Sequence, residues 1–329
     1  MPIEVKEETL NSIFEYRFEA PEDLSRPHVF TLPAWFQTWW KVFGEDYEPC
    51  PYSVWQNGQM IGIAPLMRRG PTARLIGNPE VCDYLDFITV PGREKEFLQA
   101  LFPALQKRGF KQLELNAQRP DAAVFCWLSG AEADSDYPGR IYFSREDQSY
   151  ELALPDSWES YLAGLSKKQR HEVRRKLRRL EKENTGYRYR IIAGNRAVQE
   201  FLPRFFDLVQ YNPDKVEFFT DKTKYFFRCL VDNMAGSGLA RFGLLEIDGR
   251  AAAAVFYFDY RGRIHLYNSG YDTNYRSLSV GLLSKVLLLK NGIEQSRQVF
   301  DFLKGQEIYK GRLGGTAVPI YRVKVEIDP

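Results

Sequence analysis

One turn in this chain has residues suited to anion binding, the stretch from Arg276 to Gly281 with the sequence Arg-Ser-Leu-Ser-Val-Gly. A strand-like run, Ile264 to Asn268, comes before the turn. The apolar segment Leu282 to Asn291 follows it as a predicted helix, which we expect to end at Gly292. The first turn of a helix presents backbone N–H groups and the positive end of the helix dipole. The order of strand, turn and helix therefore predicts a site for a phosphate group.

The side chains of this turn support the same prediction. Gly281 permits a phosphate to approach the helix N-terminus closely, Ser279 adds a hydroxyl group and Arg276 adds a positive charge. Ser277 and Val280 belong to the same predicted binding segment. The alternative is a small-residue turn that only begins a core helix, and a single short motif leaves both interpretations open.

A second feature is a strongly basic segment, which Ser166-Lys167-Lys168-Gln169 opens as a predicted helix with a capping box. Residues 166 to 183 include nine Lys or Arg and three Glu, a net charge of +6 in a chain whose net charge is +2. One interpretation is a solvated helix face with scattered ion pairs. The other follows from the excess of cations over local acids, which leaves many of them without a partner one turn away.

Several anionic partners would suit such a surface. They are a phosphorylated or carboxylated acceptor, an acidic carrier protein, tRNA, or an anionic membrane surface. Nucleic acid favours aromatic residues between the cations, and none lies between Leu165 and Tyr187. We therefore expect Lys168, Arg170 and Arg174 to bind a phosphate or carboxylate of the substrate.

The length of the chain predicts how these features are organised. With 329 residues, two domains are the default expectation, and Pro155-Asp156-Ser157 marks a change that places them at residues 1–154 and 155–329. Both halves show the rough order helix, hairpin, strand, helix, strand, which indicates an α/β fold and an internal duplication. Only the second half carries the complete turn described above, so a phosphate loop in the first half would be degenerate.

In the first half, an aromatic stripe over Pro33 to Phe43 predicts a core helix, and Asn57-Gly58 predicts a hairpin. The other predicted elements there are a strand over 83–90, a helix over 94–108, a strand over 111–116, a short helix over 121–128 and an extended segment over 141–154.

In the second half, a long basic helix follows the boundary, and a meander of three strands precedes the turn. The predicted elements are strands over 187–192, 240–247, 251–258, 264–268, 299–303 and 319–327, helices over 197–209 and 222–234, and a loop over 269–275.

Composition excludes several classes of protein. The longest apolar run, Ala251 to Phe258, is far below the roughly 20 residues that span a bilayer, and the acidic N-terminus lacks a signal-peptide core. The four cysteines are far apart and only three histidines exist, so neither disulfides nor a metal site is expected. We expect a cytoplasmic protein, with the basic helix leaving open a peripheral position at a membrane.

The motifs of the second half carry a family resemblance. Arg276-x-x-Ser279-x-Gly281 resembles the coenzyme A pyrophosphate loop of the GNAT acyltransferase superfamily, with Ser279 where glycine is usual. The wider pattern resembles the CelD-like branch of that superfamily, which is related to the Fem-type aminoacyltransferases. That pattern consists of Trp158-x-x-Tyr161, Lys167-Lys168-x-Arg170, Arg174-Arg175, Asp248-Gly249, Gly270-Tyr271-Asp272 and Phe300-Asp301-Phe302-Leu303-x-Gly305-x-Glu307-x-Tyr309-Lys310.

The resemblance implies an α/β fold of two tandem GNAT-like domains, each a mixed β-sheet flanked by helices. It further implies transfer of an acyl group from a thioester to an amine, with acyl-CoA or acyl-carrier protein as co-substrate and no permanently bound cofactor or metal. The acceptor would be a small molecule or a lipid precursor. The first alternative is an aminoacyl-tRNA donor, as in the Fem branch, and the second is a binding module without activity.

The resemblance also implies roles for individual residues. Tyr309 lies where the superfamily often has a tyrosine that protonates the leaving group, and Tyr267 and Asn268 are expected to line the acyl channel. Tyr271 and Asp272 join them as substrate-binding candidates, and Lys310 joins Tyr309 as a catalytic candidate.

The general base is not assigned by the motifs. Asp301 and Glu307 are the carboxylates nearest the expected position, and His265 is the titratable alternative on the preceding strand. Asp301 has an equally good structural interpretation as the partner of Lys304 or Lys310. His265 is more simply explained as a half-buried strand residue, so the base stays open.

Overall fold

The computed structural model describes residues 3–15, 24–131, 140–183 and 186–327. The chain divides into two compact units. Unit 1 consists of residues 1–147 and 318–329, and unit 2 of residues 148–317. The sequence placed a single boundary after residue 154, whereas the structure assigns the end of the chain to unit 1 because its last strand pairs there.

Unit 1 begins with a short strand and a short helix. Its strands are β1 (Ile3–Glu7), β2 (Glu48–Pro49), β3 (Tyr52–Gln56), β4 (Gln59–Ala64), β5 (Leu66–Arg69), β6 (Thr72–Leu75), β7 (Ile88–Thr89) and β8 (Gln112–Gln118). Its helices are α1 (Leu10–Glu15), α2 (Pro33–Phe43), α3 (Glu94–Lys107) and α4 (Ala123–Ala131).

Unit 2 contains the remaining strands up to the segment before residue 318. They are β9 (Ile141–Ala153, shared with unit 1), β10 (Arg188–Ile192), β11 (Ala240–Ile247), β12 (Arg250–Tyr260), β13 (Arg263–Tyr271) and β14 (Val299–Lys304). Its helices are α5 (Trp158–Gly164), α6 (Lys167–Glu183), α7 (Asn195–Gln210), α8 (Pro213–Val216), α9 (Asp221–Met234), α10 (Val280–Glu294) and α11 (Ile308–Arg312). The last strand, β15 (Thr316–Glu326), runs mostly in unit 1.

Unit 1 is built on two groups of strands. One is antiparallel with the order β1-β3-β4-β7, and the other has the order β15-β8-β6-β5-β2 with β6 and β8 parallel. Helix α2 lies in the core, as its aromatic stripe predicted, because Trp35, Phe36 and Trp39 are all buried. The predicted strand over 83–90 is wrong for most of its length, since only Ile88 and Thr89 pair, with β4.

Unit 2 is a mixed sheet with helices on both faces. Strands β10, β11, β12 and β13 are successive antiparallel neighbours, while β13 and β14 are parallel and β14 pairs antiparallel with β9. The β13–β14 pairing ends after His265 and Asp301. A β-bulge falls at Tyr267 of β13, because Asn268 faces Phe256 and Leu266 faces Tyr257. The two parallel strands therefore separate next to a bulge.

Two predicted boundaries around the turn are wrong. Strand β13 continues through the predicted loop to Tyr271, because residues 269–271 stay paired with β12. Helix α10 does not end at Gly292 but continues to Glu294. Gly292 serves packing rather than termination, since a Cβ there would lie 2.7 Å from Ile264 Cδ1.

The basic helix α6 begins as the sequence predicts. The Ser166 hydroxyl accepts a hydrogen bond from the N–H of Gln169 at 3.3 Å, as an N-cap residue does. Val173 and Leu180 are buried on the core side of the helix. The helix therefore has one apolar face toward the sheet of unit 2 and a charged face outside.

Within the described ranges, no helix is long and apolar enough to cross a membrane.

Candidate active site in unit 2

The predicted anion-binding turn forms an ordered connection between β13 and α10. After Tyr271, the Asp272 carboxylate accepts a hydrogen bond from the N–H of Asn274 at 2.9 Å and begins a 3₁₀ turn over Thr273–Leu278. Helix α10 then begins at Val280. The N–H groups of Leu282 and Leu283 donate to Ser279 O, so the N–H groups of Val280 and Gly281 remain as the first donors of the helix. Arg276 and Ser277 are exposed beside them.

Two residues of the turn have special backbone requirements. Ser279 is in the left-handed region at φ 57° and ψ 34°, a conformation that glycine adopts more easily. A Cβ at Gly281 would lie 2.8 Å from Cδ1 of Tyr271. Glycine at 281 is therefore required by contact with the Tyr271 ring, which places this predicted substrate-binding residue directly behind the turn.

The basic helix reaches the turn through a residue that sequence reasoning missed. Lys176 Nζ donates to the Ser279 hydroxyl at 2.6 Å and pairs with the Glu172 carboxylate at 3.3 Å. The basic helix α6 and the turn before α10 are therefore in direct contact through the Lys176–Ser279 hydrogen bond. Lys176 lies on the side of α6 nearest its apolar stripe. That position is the feature of the sequence that could have indicated a contact with the turn.

The two residues predicted to line an acyl channel, Tyr267 and Asn268, lie just beyond the point where β13 and β14 separate. Asn268 Oδ1 accepts hydrogen bonds from Lys215 Nζ at 2.8 Å and from the N–H of Ser269 at 2.8 Å. Lys215 also donates to Ser269 O at 2.6 Å. The ring of Tyr267 packs among aromatic side chains, 5.4 Å from both Phe227 and Phe258. Lys215, which the motifs did not suggest, thus binds the strand directly after the bulge.

Asp301 has a structural role in β14. Its carboxylate accepts a hydrogen bond from the N–H of Leu303 at 2.8 Å, across the irregularity where β14 pairs with β9. Leu303 has φ 59°, so this hydrogen bond stabilises an unfavourable backbone conformation. Both Asp301 and its neighbour His265 on β13 are buried.

Lys310 binds the loop that follows β14. Its ammonium group donates to the carbonyl oxygens of Leu303, Lys304 and Gly305 at 3.1, 2.5 and 3.3 Å, and it pairs with Glu307 at 2.9 Å. An ammonium has three N–H donors, and here they are all occupied. This geometry favours Lys310 as the residue that positions the loop, and Glu307 as its exposed partner.

Tyr309 lies next to a buried lysine of α10. Burial raises the pKa of the Tyr309 hydroxyl well above its ordinary value, so the group keeps its proton at neutral pH. Lys285 Nζ lies 5.1 Å from the centroid of the Tyr309 ring and donates to Gly281 O at 2.7 Å. Burial, together with the neighbouring charge of Lys215, lowers the pKa of Lys285 to about 7. Lys285 was not predicted, because a lone lysine in an apolar helix carries no motif.

The outer face of α6 borders an open groove of about 1080 Å³, with Trp158 and Leu162 of α5 on its other side. The positively charged residues that line it include all three that the sequence assigned to substrate binding; they are Lys167, Lys168, Arg170, Arg174 and Arg178. Across the described residues, none of these five side chains forms an ion pair with a carboxylate. We refer to this surface as the α6 groove.

Metal-binding geometry is not found in the part of the chain that the structure describes: no group of three or more His, Cys, Asp or Glu side chains comes together there. All four cysteines are free thiols.

A known protein family is similar to the part of the chain that contains these residues. Residues 167–311 match the model of a GNAT acetyltransferase domain. No curated protein matches the sequence significantly.

Several solved structures are similar along the whole chain. FemX has a TM-score of 0.65 at 12% identity, over 97% of this chain and 96% of its own. The C-terminal domain of a lysylphosphatidylglycerol synthetase from Agrobacterium fabrum has a TM-score of 0.58 at 10% identity, over 96% and 92%. A tandem GNAT protein from the clavulanic acid pathway has a TM-score of 0.50 at 13% identity, over 100% and 99%. At these identities the similarity concerns the fold, and it confirms the predicted mixed α/β architecture of two tandem GNAT-like domains.

Proposed function

We propose that the protein is an N-acyltransferase, on the premise that residues 167–311 match the model of a GNAT acetyltransferase domain. It takes an acyl group other than an aminoacyl group from acyl-CoA or acyl-carrier protein and transfers it to an amine of a small molecule or lipid precursor. The observation that carries this proposal is the turn before α10, where two helix N–H groups, the Ser279 hydroxyl and Lys176 converge. These are the donors that a pyrophosphate needs.

The proposed donor lies with its phosphates on Val280 and Gly281 and with its thioester between β13 and β14. Arg276, exposed beside the turn, adds a further cation for the phosphates. The separation of the two strands after His265 and Asp301 gives the thioester access to Asn268. In this arrangement the phosphates are held apart from the acyl carbonyl, as a transferase requires for positioning.

The proposed reaction requires the acceptor nitrogen to lose one proton and the leaving sulfur to gain one. The acceptor amine attacks the thioester carbonyl, a C–N bond forms and the C–S bond breaks, while the proton lost by nitrogen is balanced by one gained by the thiolate. Tyr309 is the proposed donor to sulfur, since its hydroxyl stays protonated at neutral pH and makes no hydrogen bond within the described residues. Asp301 and Glu307 are less suited as bases because one supports the backbone of β14 and the other pairs with Lys310.

A second candidate is supported by the α6 groove. Five cations without a carboxylate partner suit the phosphates of an aminoacyl-tRNA, the donor of the Fem-type alternative. Native mass spectrometry of the freshly purified protein separates these donors, because CoA, a carrier protein and RNA differ widely in mass. Formation of an acylated product also separates either transferase from a binding module without activity.

The turn is tested with Gly281→Trp. The new side chain would displace the Tyr271 ring and cover the first helix N–H groups, so CoA binding measured by calorimetry should be lost. The matched control is Gly164→Trp in the same unit, where a Cβ meets no atom within 4 Å. Both variants should keep the wild-type circular dichroism spectrum. An unchanged CoA affinity in Gly281→Trp would rule out this site.

A further inference from the structure

Three lysines and one carboxylate form a cluster between the turn and the separated strands. We define the lysine cluster as Lys215, Lys285 and Lys310 with Glu307. Lys215 binds Asn268 and Ser269 after the bulge, Lys285 binds Gly281 O beneath the turn, and Lys310 binds the loop after β14. Three elements, α8, α10 and α11, thus direct their ammonium groups to one region of unit 2.

The positive charges in this cluster exceed the negative charge. Of the described residues, Glu307 is the one carboxylate whose charge acts on both Lys215 and Lys285, and it is already paired with Lys310 at 2.9 Å. The hydrogen-bond acceptors of Lys215 and Lys285 are neutral oxygens. Burying an ammonium group without a counter-ion is costly, and proteins reduce that cost by losing the proton or by binding an anion.

Lys285 is the least satisfied member. It is 7% exposed, and across the described residues its ammonium group has one hydrogen-bond acceptor, Gly281 O, together with the face of the Tyr309 ring. Two of its three N–H donors are therefore available. The charged groups that act on it are Lys215, Lys310 and Glu307. Burial and the two neighbouring lysines lower its pKa to about 7, and the pKa of Lys215 is lowered by burial to about 8.

We propose that the lysine cluster is a binding site for a carboxylate of the substrate, with Lys285 and Lys215 as the donors. A carboxylate has two acceptor oxygens and can accept from both ammonium groups at once. The phosphates of the donor already have a site at the helix N–H groups. This inference rests on the proposed function for the identity of the substrate, which it narrows to an acyl group or an acceptor amine that carries a carboxylate.

The two possible sources of the carboxylate are separated by matched ligand pairs. Succinyl-CoA and butyryl-CoA differ by a carboxylate in place of a methyl group, and so do L-alanine and isopropylamine. Calorimetry on the wild type should show a roughly tenfold to hundredfold preference for the carboxylate in one of these pairs, the range of charge-assisted hydrogen bonds. The pair that shows it identifies whether donor or acceptor carries the group.

The variant Lys285→Met tests the assignment, with Lys290→Met as its control. Lys290 is on the same helix but is only partly buried and pairs with Glu294. The preference should disappear in Lys285→Met and persist in Lys290→Met. Replacing a buried cation by an apolar side chain of similar length should leave the fold intact, and the melting temperature checks this.

Proton uptake gives a second readout that does not depend on turnover. A bound carboxylate raises the pKa of Lys285 from about 7, so binding at pH 8 should take up about one proton. The uptake appears as a difference in binding enthalpy between phosphate and Tris buffers, and Lys285→Met should abolish it.

Binding of free succinate tests the lysine cluster independently of the proposed acyl donor. If neither CoA thioester binds, the proposed donor is wrong, but succinate should still raise the melting temperature of the wild type and not of Lys285→Met. No carboxylate preference in either pair and no response to succinate would overturn the lysine cluster as a carboxylate site. A preference that survives in Lys285→Met would overturn it equally.

Discussion

Unit 2 presents positive charge in two places, and the places differ in burial. The α6 groove has five cations that border solvent, and within the described residues none of them pairs with a carboxylate. The lysine cluster has only three ammonium groups, but Lys285 and Lys310 are buried residues. Burial lowers the pKa of Lys285 to about 7 and that of Lys215 to about 8. We therefore expect the groove to attract anions at long range in a way that salt screens, and the cluster to respond through proton equilibria and short hydrogen bonds. Burial, and not the number of charges, decides which region can take part in chemistry.

The largest expected difference concerns stability. Lys310→Met removes the donor to three carbonyl oxygens and the partner of Glu307, so the free energy of unfolding should fall by about 3 kcal/mol. The corresponding change in the groove, Lys168→Met, should cost less than about 0.5 kcal/mol, as surface substitutions usually do. Urea unfolding of both variants measures this. Similar losses of unfolding free energy in the two variants would contradict the proposed difference between the lysine cluster and the α6 groove.

Turnover provides the next test. If Tyr309 protonates the leaving thiolate, Tyr309→Phe should lower kcat by roughly 100-fold with little change in CoA affinity. A matched control is Tyr225→Phe, an exposed tyrosine of α9. Full activity of Tyr309→Phe would assign the proton to another group or to water.

The pH dependence of stability reports the buried amines directly. The pKa of Lys285 is lowered from 10.5 to about 7 in the folded chain, so the unfolded chain binds more protons between these values. Stability therefore rises with pH in this window, by roughly 1.4 kcal/mol per unit at most. Between pH 7 and 9 the wild type should gain about 2 kcal/mol relative to Lys285→Met, measured by urea unfolding. Parallel curves would show that Lys285 is not perturbed.

The groove should respond to charge reversal and salt instead. Replacing both Arg170 and Arg174 by Glu should raise the KM of an anionic acceptor several-fold and leave CoA affinity unchanged, since CoA is proposed to bind at another element. For tRNA, log K should fall with log salt with a slope of several units in the wild type and a smaller slope in the variant. A solvated structural face predicts neither effect, and that result would exclude the groove from binding.

The smallest expected effect is at Ser279. Ser279→Gly removes the left-handed strain but increases the entropy of the unfolded chain, so stability should change by less than about 1 kcal/mol. CoA affinity should fall modestly because Lys176 loses the hydroxyl that holds it. Ser279→Val, a β-branched residue at φ 57°, should be clearly less stable by thermal unfolding. Equal stability of the two variants would contradict the observed backbone conformation.

Local patterns in the sequence were enough to predict most elements. The helix over Pro33 to Phe43 and the strand over Ala240 to Ile247 have the predicted ends, because an i, i+3, i+4 stripe and a strand bounded by turn residues are local signals. Gly292 misled the same reasoning, since glycine ends helices but also allows close packing. Its contact with Ile264 exists only once the helix lies on the sheet.

The sequence by itself determined the turn before α10, which it predicts to bind an anion, the basic helix and the motif from Asp301 to Lys310. The tertiary structure alone decided which of these residues meet. Lys176 reaches Ser279 across 103 positions of sequence, and Lys215 reaches Asn268 across 53. It also distinguished two lysines: Lys310 of the motif is occupied by carbonyl oxygens, whereas Lys285, which belongs to no motif, keeps two free donors among the described residues. The physical reason is that burial and hydrogen-bond saturation are properties of the packed chain, and no short pattern of residue types encodes them.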